Sequence, residues 1–465
     1  MSINNDPIRH DQNSGRGITR RELIKRGLAA GISVGAFGPS LLASAQQNTN
    51  DSTKTNDIEF GKLSKTWSGK TLNVSLVAEA RSDGLKEIVK EFSDATGIKV
   101  NINIYPYPTL QERQFTAVNQ RTGNVDIVHV DCVWMGQYAG QGWLQPVTDF
   151  VKQTDPEVLS YDDFIPQVLH EQCMWEDTLY GLPFITAVFT LYYRKDIFET
   201  HGLQPPQTWD ELREIARQIH EKESPNGISG LTMMAKRGVQ LVCTHLNVFG
   251  SMGGYYYDPK FVPTMATDAG INSIEYLRSL LPYCNEGVLA QDYDESAATF
   301  KQGRAAMNLQ WQNAAPQFVG AGSKVTQTVA ITQVPGVKQG SAIKRTATTG
   351  GWNMGIVADS KNKEAAWEFI VWATSKDMEK RLAKFGTGAR SSTLSDPELG
   401  KKFIEYPATF ASLKESLGRP RIPQWVEMSD LLAAQLSNVM TGQATAKDAL
   451  DKVDGAFKQL LQKGA

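Results

Sequence analysis

Thr71–Ala78 (TLNVSLVA), Ser82–Gly97, Ile98–Ile104 (IKVNINI) and Val125–Val130 (VDIVHV) decide the fold. The first reads as a strand. In the second, Leu85, Ile88, Val89 and Phe92 fall at the i, i+3, i+4, i+7 spacing of one helix face, and Gly97 is its C-terminal stop. The third alternates as a strand does. A further helical stretch leads to VDIVHV, a short apolar run suited to a strand covered on both faces. Strand, helix, strand, helix, strand predicts an α/β architecture with a parallel sheet and right-handed crossovers. Downstream, Phe189–Tyr193 reads as a strand, Trp209–Glu221 and Lys363–Thr374 as helices, and the chain after Ser429 as mostly helix.

Upstream, Gln46–Lys70 is rich in Asn, Thr, Ser, Lys and Asp and is expected to be a flexible tail, since it has too little apolar surface to offset ordering entropy. Before it, Thr19-Arg20-Arg21-Glu22-Leu23-Ile24-Lys25 precedes an apolar run from Gly27 to Leu42 and then Ala43-Ser44-Ala45. This predicts a twin-arginine export signal over residues 1–45, cleaved after small residues. The apolar run is shorter than the roughly 20 residues that cross a bilayer. It shows no polar face at helical spacing, and no cysteine precedes Cys132 to accept a lipid. The expectation is a periplasmic protein that is not membrane-embedded.

Residues 1–45 carry six Lys/Arg and three acids, so the 48 basic and 50 acidic residues of the whole chain become 42 and 47 in the mature one. An acidic balance of this kind excludes the basic face that nucleic acid or an anionic membrane requires. The four cysteines, Cys132, Cys173, Cys243 and Cys284, are too few for a disulfide-built scaffold and leave zero, one or two bridges open. Their spacing lacks CxxC, and the six histidines lack HxH or HExxH, so neither a metal nor a cofactor is expected. The one GxSxG, Gly31–Gly35, falls inside the export signal rather than between a strand and a helix. Acids such as Glu79, Asp131 and Asp294 keep one enzymatic alternative open, a glycosidase pair whose separation the sequence does not give.

From Trp175 the chain reads WEDTLYGLPFITAVFTLYYRKDIFETHGLQPPQTWDELREIARQI. Tyr180-Gly181-Leu182-Pro183, Leu191-Tyr192-Tyr193-Arg194-Lys195-Asp196 and Pro205-Pro206-x-Thr208-Trp209-Asp210-Glu211 occur there in order. Phe300-Lys301-Gln302-Gly303-Arg304-Ala305-Ala306-Met307, Gly350-Gly351-Trp352 and Thr441-Gly442-Gln443 follow. Together these resemble the family 1 extracellular solute-binding proteins of ABC sugar importers, the group that includes maltose-binding protein, over about Thr71 to Leu461. Several of the pieces also have a purely structural reading: Thr208 is placed to cap the helix that starts at Trp209.

The resemblance implies a two-lobe type II periplasmic binding protein, with lobe one at 71–183 plus 352–390 and lobe two at 184–351 plus 391–465. The lobes would meet at a hinge about Pro183 and Gly350-Gly351. A ligand in that cleft would face the ends of the parallel strands, which selects Glu79, Arg81, Asp131 and Trp134. The family pattern adds Thr186, Trp311, Trp352 and Arg390. Glu79 and Asp131 would accept from vicinal hydroxyls, Arg81 or Arg390 would donate, and the tryptophans would stack on the C–H face of a sugar. Trp311 has a competing reading as core, and the charged positions as solvated surface. The function implied is capture of a sugar or sugar alcohol, without chemistry, and its delivery by a monomer to an ABC permease with a separate ATPase. A secreted glycoside-acting enzyme and a periplasmic sugar sensor are the alternatives.

Overall fold

The main sheet is built from the strands expected at the N-terminal end and from two long strands that cross to its other half. The structure, a computed structural model, describes residues 63–462; the export signal and residues 46–62 of the expected tail lie outside the described residues. β1 (Thr71–Val77), β2 (Lys99–Tyr105) and β3 (Ile127–Asp131) pair in parallel, β1 at the centre. Between them run α1 (Ala80–Thr96) and α2 (Tyr107–Asn119). Helix α1 starts two residues earlier than its apolar spacing indicated. It ends at Gly97, whose φ of 76° is the left-handed conformation that glycine adopts without strain.

The parallel pattern does not extend across the whole sheet. β4 (Gly181–Arg194) is far longer than the expected Phe189–Tyr193, and it runs antiparallel to β8 (Ala347–Ile356), which in turn runs antiparallel to β3. Between β4 and β8 in sequence come α4 (Trp209–Glu223), β5 (Thr232–Met233), α5 (Val239–Ser251), α6 (Asp268–Leu280), α7 (Tyr293–Lys301), β6 (Met307–Trp311) and β7 (Val329–Gln333). The spatial order is β2-β1-β3-β8-β4-β6-β5, with β7 also on β4 and β9 (Ser416–Gly418) on β8. The first half of β4, to Val188, pairs with β8, and the second half, from Phe189, with β6 and β7. The register of β4 on β8 shifts between Trp352 and Asn353, a bulge that bends the crossing.

α3 (Pro166–Cys173) packs behind the crossing, and α8 (Lys363–Ala373) buries Ala365, Ala366, Phe369 and Ile370 against the first half. α9 (Lys376–Leu382) and α10 (Tyr406–Lys414) follow; α11 (Trp425–Met440) and α12 (Ala446–Gln462) close the C-terminus against α5 and α6. Helix α4 begins with the Thr208 cap its sequence predicts, and Glu211 completes a capping box: Thr208 Oγ1 accepts the Glu211 N–H, and Glu211 Oε2 accepts the Thr208 N–H, each at 3.2 Å.

One expectation changes and one open question closes. Leu63–Lys70, expected as part of the tail, is tied to the fold: the Ser64 N–H donates to Glu368 Oε1 at 3.0 Å, the Gly69 N–H donates to the Gly97 carbonyl at 2.9 Å, and Trp67 packs against the core. The one tryptophan in that polar stretch supplies apolar area that average composition conceals. The cysteine question resolves to four buried free thiols. Among the described residues no helix is long and apolar enough to cross a membrane. Asp258–Lys260 form a turn of their own in which Asp258 Oδ1 accepts the Lys260 N–H at 2.8 Å.

Candidate functional site

The carboxyl ends of β1, β2, β3 and β6 converge on one cavity of about 590 Å³ where the two halves of the sheet meet. A hollow of about 690 Å³ lies elsewhere, between β1, β2 and α2. The smaller cavity is the better site, because a ligand position needs apolar faces and convergent polar groups, and open α/β sheets present both outside the strand ends.

Glu79 stands two residues past β1, at the start of α1. Its Oε2 accepts a hydrogen bond at 3.2 Å from Asn313 Nδ2, which lies two residues past β6 in the other half. Glu79 is partly buried, and its surroundings push the carboxyl up to about 7, the Asn313 bond opposing this. The Tyr293 hydroxyl donates to Asn313 Oδ1 at 3.2 Å, which fixes the amide so that its N–H groups face Glu79. Asp131 ends β3. It accepts from the Tyr107 hydroxyl at 3.1 Å and lies 3.6 Å from Arg419 Nη2. Burial, with the neighbouring Asp131 charge, raises the Tyr107 phenol well above its usual range, so Tyr107 stays a donor.

Two tryptophans form apolar walls. Trp311 ends β6, rests on Phe189 with ring centroids 4.3 Å apart, and donates its indole N–H to Gln240 Oε1 at 2.7 Å. It is only 6 % exposed, so it serves core and cavity wall together. Trp352, opposite Asp131 in register, stacks on His129 at 5.5 Å and meets Tyr107 edge-on at 5.6 Å. Gly350 and Gly351 lie beside it, and a Cβ on Gly350 would come within 3.2 Å of Trp311 and Arg419.

The remaining expected residues fall elsewhere or are occupied. Arg81 reaches the cavity wall but is 1 % exposed; its guanidinium bonds the Glu379 carboxylate and the Gly386 carbonyl and lies over Phe184. Trp134 is not on the wall. It packs behind Trp352 and Tyr107 at 5.3 and 5.2 Å, because the chain turns into a short helix directly after Asp131. Thr186 is fully buried in the crossing, with its N–H on the Thr387 carbonyl and its carbonyl on Gln312 Nε2. Arg390 is also buried, its donors taken by the carbonyls of Thr374, Ser160 and Leu159 at 2.8 to 3.0 Å, with Asp163 at 3.5 Å. A guanidinium bonded in this way ties loops together, and Arg390, fully buried, does not line the cavity.

Sequence reasoning missed Tyr107, Asn313, Gln240, Tyr293 and Arg419. Tyr107 and Asn313 follow strand ends as Glu79 does, so the same rule reaches them once β2 and β6 are delimited. Arg419 comes from the segment after β9, and no local signal links it to Asp131. Among the described residues no group of three His, Cys, Asp or Glu is placed to hold a metal ion.

Two halves, a crossing pair of strands and a cleft of aromatic and hydrogen-bonding residues define a solute receptor of the type II periplasmic binding architecture. The sequence profile of the bacterial extracellular solute-binding proteins matches residues 78–380, and the chain belongs to that family. A probable amino-acid ABC transporter periplasmic-binding protein of Sinorhizobium fredii is 26 % identical over 410 residues, covering 85 % of this chain and 91 % of the relative. The mannitol-binding protein of Pseudomonas aeruginosa is 26 % identical over 372 residues, covering 73 % of this chain and 81 % of its own. Among solved structures, an ABC transporter solute-binding protein of Agrobacterium radiobacter in complex with ribitol superposes with a TM-score of 0.76 at 29 % identity, over 84 % of this chain and 99 % of that one.

Proposed function

We propose that this protein is the periplasmic solute-binding component of an ABC importer, exported by the twin-arginine route, and that its cleft takes a sugar or sugar alcohol and hands it on unaltered to a permease served by a separate ATPase. The observation that carries this reading is the make-up of the cavity: Trp311, Trp352 and Tyr107 offer apolar ring faces, while Glu79, Asp131, Asn313 and Gln240 offer acceptors and donors around them. A polyhydroxylated solute needs both, since its C–H surface stacks and its hydroxyls must each find a partner once desolvated. The relatives whose names or bound ligands are mannitol and ribitol support the same class. We place the lobe boundaries near 183/184, 351/352 and 390/391, with Glu79 and Asp131 contacting ligand from one lobe and Trp311 and Asn313 from the other.

The amino-acid name of the Sinorhizobium relative makes a second class worth including in the test. An amino acid's ammonium would suit the cleft carboxylates, but its own carboxylate needs a cation, and Arg81 and Arg419 are engaged by Glu379 and Asp131. The test is a thermal-shift panel of the mature protein against sugars, polyols and amino acids. Ligand at 100 times its Kd adds about 2.7 kcal/mol of stability. Contacts from both lobes favour the closed arrangement, so a polyol or sugar hit should also reduce the radius of gyration in small-angle scattering. Mass spectrometry should recover the solute unchanged. Hydrolysed or modified sugar at enzymatic turnover would overturn the reading in favour of paired-carboxylate catalysis, and a response to amino acids alone would move the ligand class.

A further inference from the structure

We propose that Glu79, held across the cleft by Asn313, is the specificity-determining residue that restricts this site to uncharged solutes, so that neutral polyols are taken and the corresponding aldonic acids are refused. The inference rests on the reading above and adds to it a charge rule and the residue that enforces it.

The first observation is the spanning bond itself. Glu79 belongs to one half and Asn313 to the other, and the Nδ2–Oε2 bond of 3.2 Å joins them across the cavity. Glu79 Oε1 accepts no hydrogen bond among the described residues, and the amide, with its oxygen taken by Tyr293, has a second N–H to give. The pair therefore presents one acceptor and one donor side by side. A hydroxyl satisfies both at once, donating to Glu79 and accepting from Asn313. A carboxylate has only acceptors, and would leave Glu79 facing a like charge.

The second observation is the charge balance around the cavity. Its two cations are each paired with a carboxylate, Arg81 with Glu379 and Arg419 with Asp131 at 3.6 Å, and the Nε of each is buried without a hydrogen-bond partner among the described residues. Asp292 and Asp294 also line it, from the start of α7, and no ion pair among the described residues reaches them or Glu79. The charged and titratable groups that line the cavity with Glu79 are thus Arg81 on its own helix, Tyr107 and Asp131 from the ends of β2 and β3, Cys243 from α5, Asp292, Tyr293 and Asp294 from the start of α7, and Arg419 after β9, with the amides of Asn313 and Gln317 beyond β6. None of these is a cation free to balance a second negative charge. Burial holds the Glu79 carboxyl near 7, so its charge, and the discrimination, should be fuller at pH 8 than at pH 6.

The experiment is isothermal titration calorimetry of the mature full chain at pH 6 and pH 8. The probes are ribitol, D-mannitol and D-glucitol against ribonate, mannonate and gluconate, and circular dichroism checks the fold of each variant. For the neutral probe that binds, the wild type should prefer it over its acid by at least about 100-fold at pH 8, and by about tenfold less at pH 6. Glu79→Gln keeps the acceptor but not the charge, and should cut that preference at least tenfold and flatten its pH dependence. Glu79→Asp, which keeps the charge, should retain the refusal of acids. Unchanged preference and pH dependence in Glu79→Gln, or a wild type that favours an aldonate, would overturn this inference while leaving the importer reading standing. A wild type that binds no polyol or sugar in the thermal-shift panel would instead remove the reading on which it rests.

Discussion

Replacing Gly351 by alanine should be among the most damaging single-atom additions to this protein. Gly351 has a φ of 138°, a backbone region that residues with a Cβ rarely enter, and such strain costs about 1–3 kcal/mol. An added Cβ would also lie 2.4 Å from the Ile185 carbonyl oxygen of the neighbouring strand and 2.2 Å from Gln172 Nε2. The first is backbone and cannot step aside without parting β8 from β4. The second is the amide that donates to the Gly350 carbonyl at 2.8 Å, so moving it loses a buried hydrogen bond of about 1 kcal/mol. Strain, bond loss and strand displacement together predict a loss of about 3–5 kcal/mol, a large part of a normal folding free energy. The control is Gly350→Ala. Its neighbours, Arg419 Nη2 and Trp311 at 3.2 Å, are side-chain ends that can yield, so its cost should be about 1 kcal/mol or less. Urea denaturation followed by tryptophan fluorescence measures both. Equal losses, or less than about 1 kcal/mol for Gly351→Ala, would refute the assignment of strain to this crossing.

Trp311→Ala should lower apo stability by about 3–5 kcal/mol, because the indole is buried on Phe189, and should also weaken ligand binding by about 1–3 kcal/mol; unchanged affinity on titration would confine Trp311 to the core. Glu405, 3 % exposed, has its carboxyl pushed up to about 7 by burial. The folded state therefore holds a proton that the unfolded chain releases near 4.5, and stability from this group falls as pH rises from about 4.5 through 7. Glu405→Gln should remove that fall and be the more stable by about 3 kcal/mol at pH 8; parallel denaturation midpoints for the two proteins from pH 5 to 8 would contradict it. Changing both Arg20 and Arg21 to Lys should leave the precursor uncleaved in the cytoplasm, and normal N-terminal processing of that variant would remove the twin-arginine proposal.

Local patterning was enough to read β2, α1 and α4, whose period of 2 or 3.6 is written in adjacent residues, and β1, β3 and α8, whose apolar runs are bounded closely enough to show their length. It was enough for the family and for the strand ends that hold Glu79 and Asp131. It was not enough for β4 and β8, whose fully buried runs carry no alternation, so neither their length nor their antiparallel direction shows in sequence. Nor could it distinguish Arg81, Arg419 and Arg390, three arginines alike on paper. Their roles follow from which carboxylates and carbonyls the folded chain brings to them: Glu379 is 298 residues from Arg81, and Leu159 is 231 from Arg390. The sequence determined the elements with a local pattern, the family, and the strand ends that carry Glu79 and Asp131, because those depend on neighbours along the chain. Which donors stay free, and which aromatic faces the cavity sees, depends on partners hundreds of residues apart, and only the tertiary structure decided it.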